Sequence, residues 1–332
     1  MSEKDVRVAV IGLGKMGLLH ASILSALPHV HLVALCDKSH MLLRFFRKMF
    51  KANLLDDVGK LSSLNLDAVY VTTPIPTHFS VVKALYLNRI AGSVFVEKTL
   101  AASYDEANEV YRLAQHYQGV NMVGYMKRFA VTFEKAKDLL DQGVLGELLS
   151  FGAYAYSSDF AGIVKGSKAS VGRGGVLEDL GAHVVDLALW FFGDSDVESA
   201  KLESLVTSGC EDSAKFTIRT SNGVDGTFDI SWCKENYRMP EFCVVIKGSK
   251  GSMKVSDDKL ELEQNDGRNY KWYRQDLNDN VGFLLGEPEY FREDRHFIEA
   301  ILRRDYARPD FSTASRVDYL IDQVRQKAAK NE

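Results

Sequence analysis

The chain has 332 residues, 46% of them hydrophobic and 26% charged, with a formal net charge of −4 at pH 7. A chain of this length is about twice as long as an average domain, so we expect two domains, each with its own core. The slightly negative net charge gives no sign of the broad basic surface that attracts nucleic acids and anionic membranes, and we expect neither partner. The 4 cysteines are widely spaced and form no C-x-x-C pair, so neither a metal site nor a disulfide framework is expected.

No stretch approaches the roughly 20 apolar residues that span a bilayer. The first residues, MSEKDVRVAVIGLG, lack the long apolar core and cleavage site of a signal peptide. We therefore expect a soluble protein that stays in the cytoplasm.

The first third of the chain alternates strand-like and helix-like segments. Strands are predicted at Val6–Ile11, His31–Cys36, Ala68–Val71, Val94–Val96 and Val120–Val123. Helical periodicity covers Lys15–Ala26, His40–Lys51, His78–Asn88 and Tyr104–Tyr117. β-Branched strands that alternate with helices indicate an α/β fold with a doubly wound parallel sheet, and we assign residues 1–124 to a Rossmann domain.

Residues 125–332 have a different pattern of predicted helices and strands, and they form the expected second domain. Helices are predicted at Phe129–Gln142, Val176–Phe192, Pro288–Arg304 and Thr313–Lys330. Between Ser199 and Gln275, short β-prone runs are separated by N-G and N-D-G turns, which indicates antiparallel strands. We therefore expect an α+β domain with a large, open, mainly antiparallel sheet. The last helix, about 313–330, is a candidate to pack back on the amino-terminal domain.

A glycine-rich turn follows the first strand. Its pattern, G-x-G-x-x-G, consists of Gly12, Gly14 and Gly17, with Lys15 and Met16 between the last two. The glycines permit a tight turn, a close approach of the backbone to a pyrophosphate, and close packing of helix on strand. The amino terminus of the following helix favours phosphate groups. The turn therefore predicts a dinucleotide site, the alternative being a purely structural turn.

Asp37 ends the second strand, 20 residues after Gly17. A carboxylate at this place accepts hydrogen bonds from the adenosine ribose and repels a 2′-phosphate, which favours NAD over NADP. The adjacent Lys38 weakens this preference, so NADP stays open as the cofactor.

Two further segments carry candidate catalytic residues. Lys98 follows the predicted strand Val94–Val96, at the edge of the sheet where ligands bind in open α/β folds, although an ordinary solvated Glu–Lys pair is the alternative. In the second domain, a helix opens at the glycine pair 174–175 and places Asp179 and His183 four residues apart on one face, with Asp186 further along it. A carboxylate beside an imidazole is suited to proton transfer, while the alternative is a structural hydrogen bond.

The polar, glycine-rich segment Ser157–Arg173 precedes this helix and is a candidate substrate loop. Lys165, Lys168 and Arg173 could meet a phosphate or carboxylate, and we include Tyr156 and Arg173 as candidate substrate contacts. A solvated loop with ordinary charges is the alternative.

Together these motifs resemble the glucose–fructose oxidoreductase/inositol dehydrogenase family (Gfo/Idh/MocA). The resemblance covers nearly the whole chain, in the order VAVIGLGKMG, VALCD, VTTPIPTH, EKTLA, VGYMKRF and GGVLEDLGAHVVDLALWFFG. The last block is the most specific, because it holds the glycine pair together with Asp179, His183, Asp186 and Trp190. The resemblance implies an NAD(P)-dependent oxidoreductase that acts on sugars, cyclitols or nucleotide sugars and forms a homo-oligomer, a dimer or tetramer, through its open sheet.

The resemblance also implies roles for individual residues. Lys98 matches the active-site lysine, and Asp179 and His183 match the acid/base pair. The expected cofactor contacts beyond the glycine turn and Asp37 are Thr73, Pro74, His78, Glu97, Lys98 and Arg128.

Two positions depart from the family pattern. Thr99 stands where proline usually follows the lysine, and a cis bond before a non-proline residue costs about 2.5–4 kcal/mol, so we expect a trans bond there. Ile75 stands where asparagine is frequent, so one polar contact to the cofactor is expected to be missing.

The predicted reaction is the reversible oxidation of a secondary alcohol. Two alternatives stay open: an NAD-dependent glycosidase that works by transient oxidation and elimination, and a dinucleotide-sensing regulator without catalysis.

Overall fold

The computed structural model describes residues 5–162 and 174–330. The chain divides into two compact units. The first unit comprises the residues up to Met126 together with Asn280–Asp318, and the second comprises Lys127–Asp279 and the residues from Tyr319 onward. Among the described residues, no helix combines the length and apolar character needed to cross a membrane.

The first unit is built on a six-stranded parallel sheet. Its strands are β1 (Val6–Ile11), β2 (Val30–Cys36), β3 (Asn53–Leu55), β4 (Ala68–Val71), β5 (Ser93–Glu97) and β6 (Asn121–Gly124). Its first helices are α1 (Lys15–Ala26), α2 (His40–Phe46), α3 (His78–Leu87) and α4 (Tyr104–Ala114). The strand order β3-β2-β1-β4-β5-β6 is that of a dinucleotide-binding Rossmann sheet, in which the order reverses between β1 and β4. The predicted fold class of this region is confirmed.

The second unit is built on an eight-stranded sheet covered on one face by helices. Its helices are α5 (Val131–Asp141) and α6 (Ala182–Phe192). Its strands are β7 (Leu148–Tyr156), β8 (Ser195–Glu203), β9 (Ser213–Thr220), β10 (Asp225–Ser231), β11 (Glu241–Gly248), β12 (Gly251–Ser256), β13 (Lys259–Gln264) and β14 (Asn269–Tyr273). The order is β14-β13-β12-β11-β7-β10-β9-β8. Among these described strands only β7 and β10 pair in parallel, so the predicted mainly antiparallel sheet is confirmed.

Aromatic side chains form the core between the sheet and α6. Phe151 of β7 stacks on Phe192 of α6 with ring centroids 4.0 Å apart, and Phe216 stacks on Phe228 at 4.3 Å. On the other face of the sheet, Lys215 and Arg219 are exposed. This alternation along the strands is the pattern expected when one face of a sheet is covered and the other is open.

The carboxyl-terminal segment returns to the first unit. It contains α7 (Pro288–Arg303) and α8 (Phe311–Ala329), and the division between the units falls within α8. The amide of Val123 donates to the carbonyl of Pro309 at 2.9 Å, and the amide of Phe311 donates to Asn121 Oδ1 at 2.8 Å. These bonds fix the segment that precedes α8 along the last strand of the parallel sheet.

Candidate functional site

The glycine turn after β1 is packed directly against the end of β4. Gly12 has a φ of +92°, and a Cβ there would lie 2.7 Å from the amide nitrogen of Thr73. The hydroxyl of Thr72 donates to the Gly12 carbonyl at 2.6 Å, and a Cβ at Gly17 would clash with the same carbonyl. Both glycines are therefore required by close packing at the place where the strand order reverses.

Gly14 has a different environment. It is the N-cap of α1, it makes no side-chain cap, and apart from its chain neighbours no described atom lies within 4 Å of a Cβ placed on it. Gly14 and Lys15 are exposed and Met16 is half-buried. The first amide groups of α1 thus adjoin open space at the positive end of the helix, and these residues fit the pyrophosphate of a dinucleotide.

Asp37 is anchored to this turn. One carboxylate oxygen accepts the amide of Leu13 at 2.7 Å, and the other accepts the amide of Ser39 at 2.7 Å. A carboxylate has about four acceptor positions, so both oxygens can accept further hydrogen bonds. The half-buried Asp37 and the exposed Lys38 therefore lie beside the glycine turn.

His78 links the loops that follow β4 and β5. Its Nε2 lies 2.7 Å from the carbonyl oxygen of Thr73, and its Nδ1 lies 2.8 Å from that of Thr99. The imidazole is fully buried, and burial lowers its pKa. Pro74 caps a short 3₁₀ turn, Ile75–Thr77, that leads into α3. His78 thus lies between the two loops, within hydrogen-bond distance of one backbone carbonyl group in each.

The Lys98–Thr99 peptide bond is cis, so the expectation of a trans bond is wrong. The expectation considered the local preference of the bond and omitted the contacts around it. Thr99 is buried, its carbonyl oxygen lies 2.8 Å from His78 Nδ1, and its hydroxyl donates to the carbonyl of Ala101 at 3.0 Å. Glu97 ends β5, and its Oε2 accepts the amide of Lys98 at 3.2 Å.

In the second unit, the predicted helix from Val176 is present, but its first turn, Leu177–Gly181, is π-helical before α6 begins. The Glu211 carboxylate occupies the space that a Cβ on Gly175 would fill, and its Oε1 accepts the amide of Leu177 at 3.2 Å. Burial raises the pKa of Glu211. The glycine pair therefore makes room for an internal carboxylate at the start of the helix.

Asp179 and His183 lie on this π turn and on the first turn of α6. The indole Nε1–H of Trp232 donates to Asp179 Oδ2 at 3.2 Å, which orients the carboxylate. The buried His183 ring packs edge-on against Phe242, with centroids 5.2 Å apart. The structure thus supplies an acid and an imidazole on one short segment, each oriented by an aromatic residue.

Arg128 lies in the second unit and is paired with α6. Its guanidinium donates to both carboxylate oxygens of Asp186 at 2.7 Å, and its Cζ lies 5.5 Å from the ring centre of Trp190. Burial raises the pKa of Asp186, and the charge of Arg128 opposes this rise. The bidentate pair fixes the segment that precedes α5 to α6.

Tyr156 does not lie with His183. Side chains alternate along a strand, and the preceding Ala155 is buried and pairs with Phe242, the residue against which His183 packs. Tyr156 therefore faces the opposite side of the sheet, where it stacks on Tyr154 with centroids 4.6 Å apart. Lys165, Lys168 and Arg173 lie outside the described residues.

Sequence reasoning missed three contributors to these sites: Trp232, Glu211 and His20, a buried histidine of α1 that lies between Glu97 and Asp294. A lone tryptophan at the end of a strand run was the only signal for Trp232, because its partner is far away in the sequence. In the part of the chain that the structure describes, no group of three or more His, Cys, Asp or Glu residues is arranged to hold a metal ion.

Two family profiles match the chain. One, described as an oxidoreductase family with an NAD-binding Rossmann fold, matches residues 6–125, and the GFO/IDH/MocA C-terminal domain matches residues 133–254. The D-apiose dehydrogenase of Paraburkholderia graminis is 26% identical over 271 residues, 80% of this chain and 71% of the relative. The inositol 2-dehydrogenase of Rhizobium meliloti is 22% identical over 307 residues, 89% of this chain and 88% of the relative.

Solved structures share the fold. A levoglucosan dehydrogenase in complex with NADH and L-sorbose matches with a TM-score of 0.88 at 20% identity, over 99% of this chain and 98% of that chain. The WlbA dehydrogenase from Bordetella pertussis, in complex with NADH and UDP-GlcNAcA, matches with a TM-score of 0.86 at 16% identity, over 100% and 98%. Because the two profiles together cover most of the chain, the predicted family is confirmed. The chain belongs to the Gfo/Idh/MocA family of oxidoreductases, and NAD is the cofactor of its amino-terminal Rossmann domain.

Proposed function

We propose that this protein is an NAD-dependent dehydrogenase or reductase that acts on a secondary alcohol of a sugar, a cyclitol or a nucleotide sugar. The observation that carries the proposal is the open, uncapped start of α1 at Gly14 in a chain that also has Lys98, Asp179 and His183. The printed activities of the relatives, which include D-apiose and inositol dehydrogenases, support the substrate class.

The residues proposed to hold the dinucleotide follow from the first unit. Gly12, Gly14 and Gly17, with Lys15 and Met16 on the first turn of α1, would receive the pyrophosphate, and Asp37 would accept hydrogen bonds from the ribose hydroxyls. Thr73 and Pro74, in the loop that His78 holds, and Glu97, next to Lys98, are proposed to line the nicotinamide end. The bound cofactor supplies the acceptor for the hydride.

The protein's own groups are proposed to move and stabilise the proton. His183 takes the proton of the reacting hydroxyl, since an imidazole exchanges protons near neutral pH. Lys98 donates a hydrogen bond to the reacting oxygen, and Asp179 orients the imidazole or shares its proton. Trp232 supports this arrangement, because its N–H fixes the direction of the Asp179 carboxylate.

Arg128 is proposed to act together with Asp186. The resemblance places this arginine near cofactor or substrate. Because its charge is paired with Asp186, it would present a neutral ion pair there instead of an isolated cation.

The open face of the eight-stranded sheet is proposed as the interface of a homodimer or tetramer. Light scattering at several protein concentrations tests this state, and a monomer throughout would contradict it.

The test of function is the formation of NADH, followed by absorbance, when the purified protein receives NAD or NADP with polyols, aldoses, cyclitols and nucleotide sugars. The proposal predicts turnover with one of these substrate classes and a preference for NAD. Cofactor binding is measured in the same samples. Tight NAD binding without turnover on any substrate would contradict the proposal and favour a regulator, whereas cleavage of a glycoside without net NADH would favour the redox glycosidase.

A further inference from the structure

His20 is a fully buried histidine between two carboxylates of the first unit. Its Nε2 lies 2.7 Å from Oε1 of Glu97, and its Nδ1 lies 2.8 and 3.0 Å from the two oxygens of Asp294. His20 and Asp294 are 0% exposed and Glu97 is 8% exposed. The three residues come from α1, the end of β5 and α7, so the contacts join three separate parts of the chain.

The protons of the ring depend on the state of its two neighbours. When both carboxylates are ionised they only accept hydrogen bonds, so the ring then carries a proton on both nitrogens. Burial raises the pKa of Asp294, and the charge of His20 opposes this rise. Burial lowers the pKa of His20, but Asp294 and Glu97 together raise it well above its ordinary value. Tyr70 of β4 and Tyr290 of α7 also face the ring, and burial raises the pKa of both phenols, so they stay neutral.

Glu97 connects His20 to the loop that carries Lys98. While Glu97 Oε1 bonds to His20, its Oε2 accepts the backbone amide of Lys98 at 3.2 Å. The direction of the Glu97 side chain is therefore set by His20 on one oxygen and by Lys98 on the other.

We infer that His20 is a positioning residue of the active site, which acts through Glu97 on the peptide of Lys98. Asp294 bonds to the other ring nitrogen and so fixes the rotation of the imidazole. Packing alone does not account for the charge, since a buried ion pair is often no more stable than apolar residues of similar volume. The inference rests on the proposed function, because it gives His20 its role through Lys98.

Two double variants test the inference with the buried charge matched. His20→Gln/Asp294→Asn and His20→Asn/Asp294→Asn both remove the histidine and one carboxylate, and both leave Glu97 in place. Glutamine places a neutral N–H near the position of Nε2 and can still donate to Glu97. Asparagine places its N–H near the position of Nδ1, directed towards residue 294, so Glu97 loses its donor.

We expect the glutamine variant to keep kcat within about threefold of the unmodified enzyme and the asparagine variant to lose roughly a hundredfold, the scale of a 1 Å misplacement. The affinity for NADH, measured by fluorescence, and the thermal midpoint should be similar in the two variants. A purely structural histidine predicts equal kcat in both variants, and that result would overturn the inference.

Hydrogen exchange at the Lys98 amide gives a readout that does not depend on activity. The asparagine variant should exchange this amide roughly tenfold faster than the glutamine variant, because its acceptor Glu97 is no longer held. Equal exchange in the two variants would overturn the inference. If the unmodified enzyme oxidises no substrate, the proposed function fails, and the exchange rates still decide whether His20 positions Lys98.

Discussion

Each unit starts a helix at a glycine-rich turn, and the two turns differ in what occupies the space left by the missing side chains. At Gly14 the space for a Cβ is open, and α1 begins without a side-chain cap. At Gly175 the same space is filled by the carboxylate of Glu211, which accepts the amide of Leu177. One helix start thus has a carboxyl group of the same chain beside it, and the other has room for an external anion.

The comparison shows why glycine spacing alone is a weak sign of an anion site. The amino terminus of any helix favours negative charge, and a carboxylate of the same chain can take the place of a phosphate there. The space beside the glycine therefore decides the interpretation. The first turn is suited to cofactor binding, and the second gives a rigid start to the segment that carries Asp179 and His183.

The largest expected effect separates the proposed catalytic residues from the cofactor-binding turn before α1. His183→Ala and Lys98→Ala should each lower kcat by about 10²–10⁴-fold, the usual contribution of a positioned acid or base, while NADH affinity stays nearly unchanged. Steady-state kinetic assays measure kcat, and fluorescence titration measures the affinity for NADH. His116→Ala, at an exposed position, is the control. Turnover equal to the unmodified enzyme would contradict the assigned roles.

Gly14→Val fills the open space at the first turn. Its backbone has φ −71° and ψ −160°, a conformation that valine adopts, so folding should be unaffected. The isopropyl group would occupy the place proposed for the pyrophosphate. We expect NADH affinity to fall roughly a hundredfold, about 2.7 kcal/mol, with an unchanged thermal midpoint. Unaltered affinity in a titration would remove this turn from the cofactor site.

Gly175→Ala should have the opposite effects to Gly14→Val: the protein should lose stability and keep its affinity for NADH. The new methyl group would clash with the Glu211 carboxylate, and we expect a loss of stability of about 1–3 kcal/mol with little change in NADH affinity. Denaturant unfolding measures the loss. The same substitution in a Glu211→Ala background should cost less, since the clash is gone. Equal costs in both backgrounds would show that Glu211 does not fill this space.

The smallest expected effect concerns the choice of cofactor. Asp37→Asn removes the charge that would repel a 2′-phosphate but keeps an acceptor for the amide of Leu13. The ratio of kcat/KM for NAD to that for NADP should fall roughly fivefold to tenfold. An unchanged ratio would mean that another residue sets the preference.

Local patterns were sufficient for much of the fold. The strand Val6–Ile11 and the helix Lys15–Ala26 have the predicted bounds, because a β-branched run, a glycine turn and an apolar period all lie within one short segment. The central strand β7 was missed, since Gly152, Ala153 and Ala155 have low strand propensity and only pairing with β10 and β11 makes them a strand.

Contacts between distant residues explain what the sequence did not predict. His20 and Asp294 are separated by 274 positions, and Trp232 reaches Asp179 across 53 positions. No local pattern relates such residues before the chain folds. The prediction of a trans bond at Lys98–Thr99 was wrong for the same reason. The loop contacts His78, which is distant in the sequence, and its Thr99 is buried.

The central claim is that a hydride leaves the carbon of a secondary alcohol for NAD, and isotope transfer tests it most directly. A substrate found in the NADH assay would carry deuterium on the carbon that bears the reacting hydroxyl, and the products would be analysed by mass spectrometry. The account predicts one deuterium atom in NADH for each molecule of ketone formed. Deuterium that returns to the product, with no net NADH, would contradict a dehydrogenase.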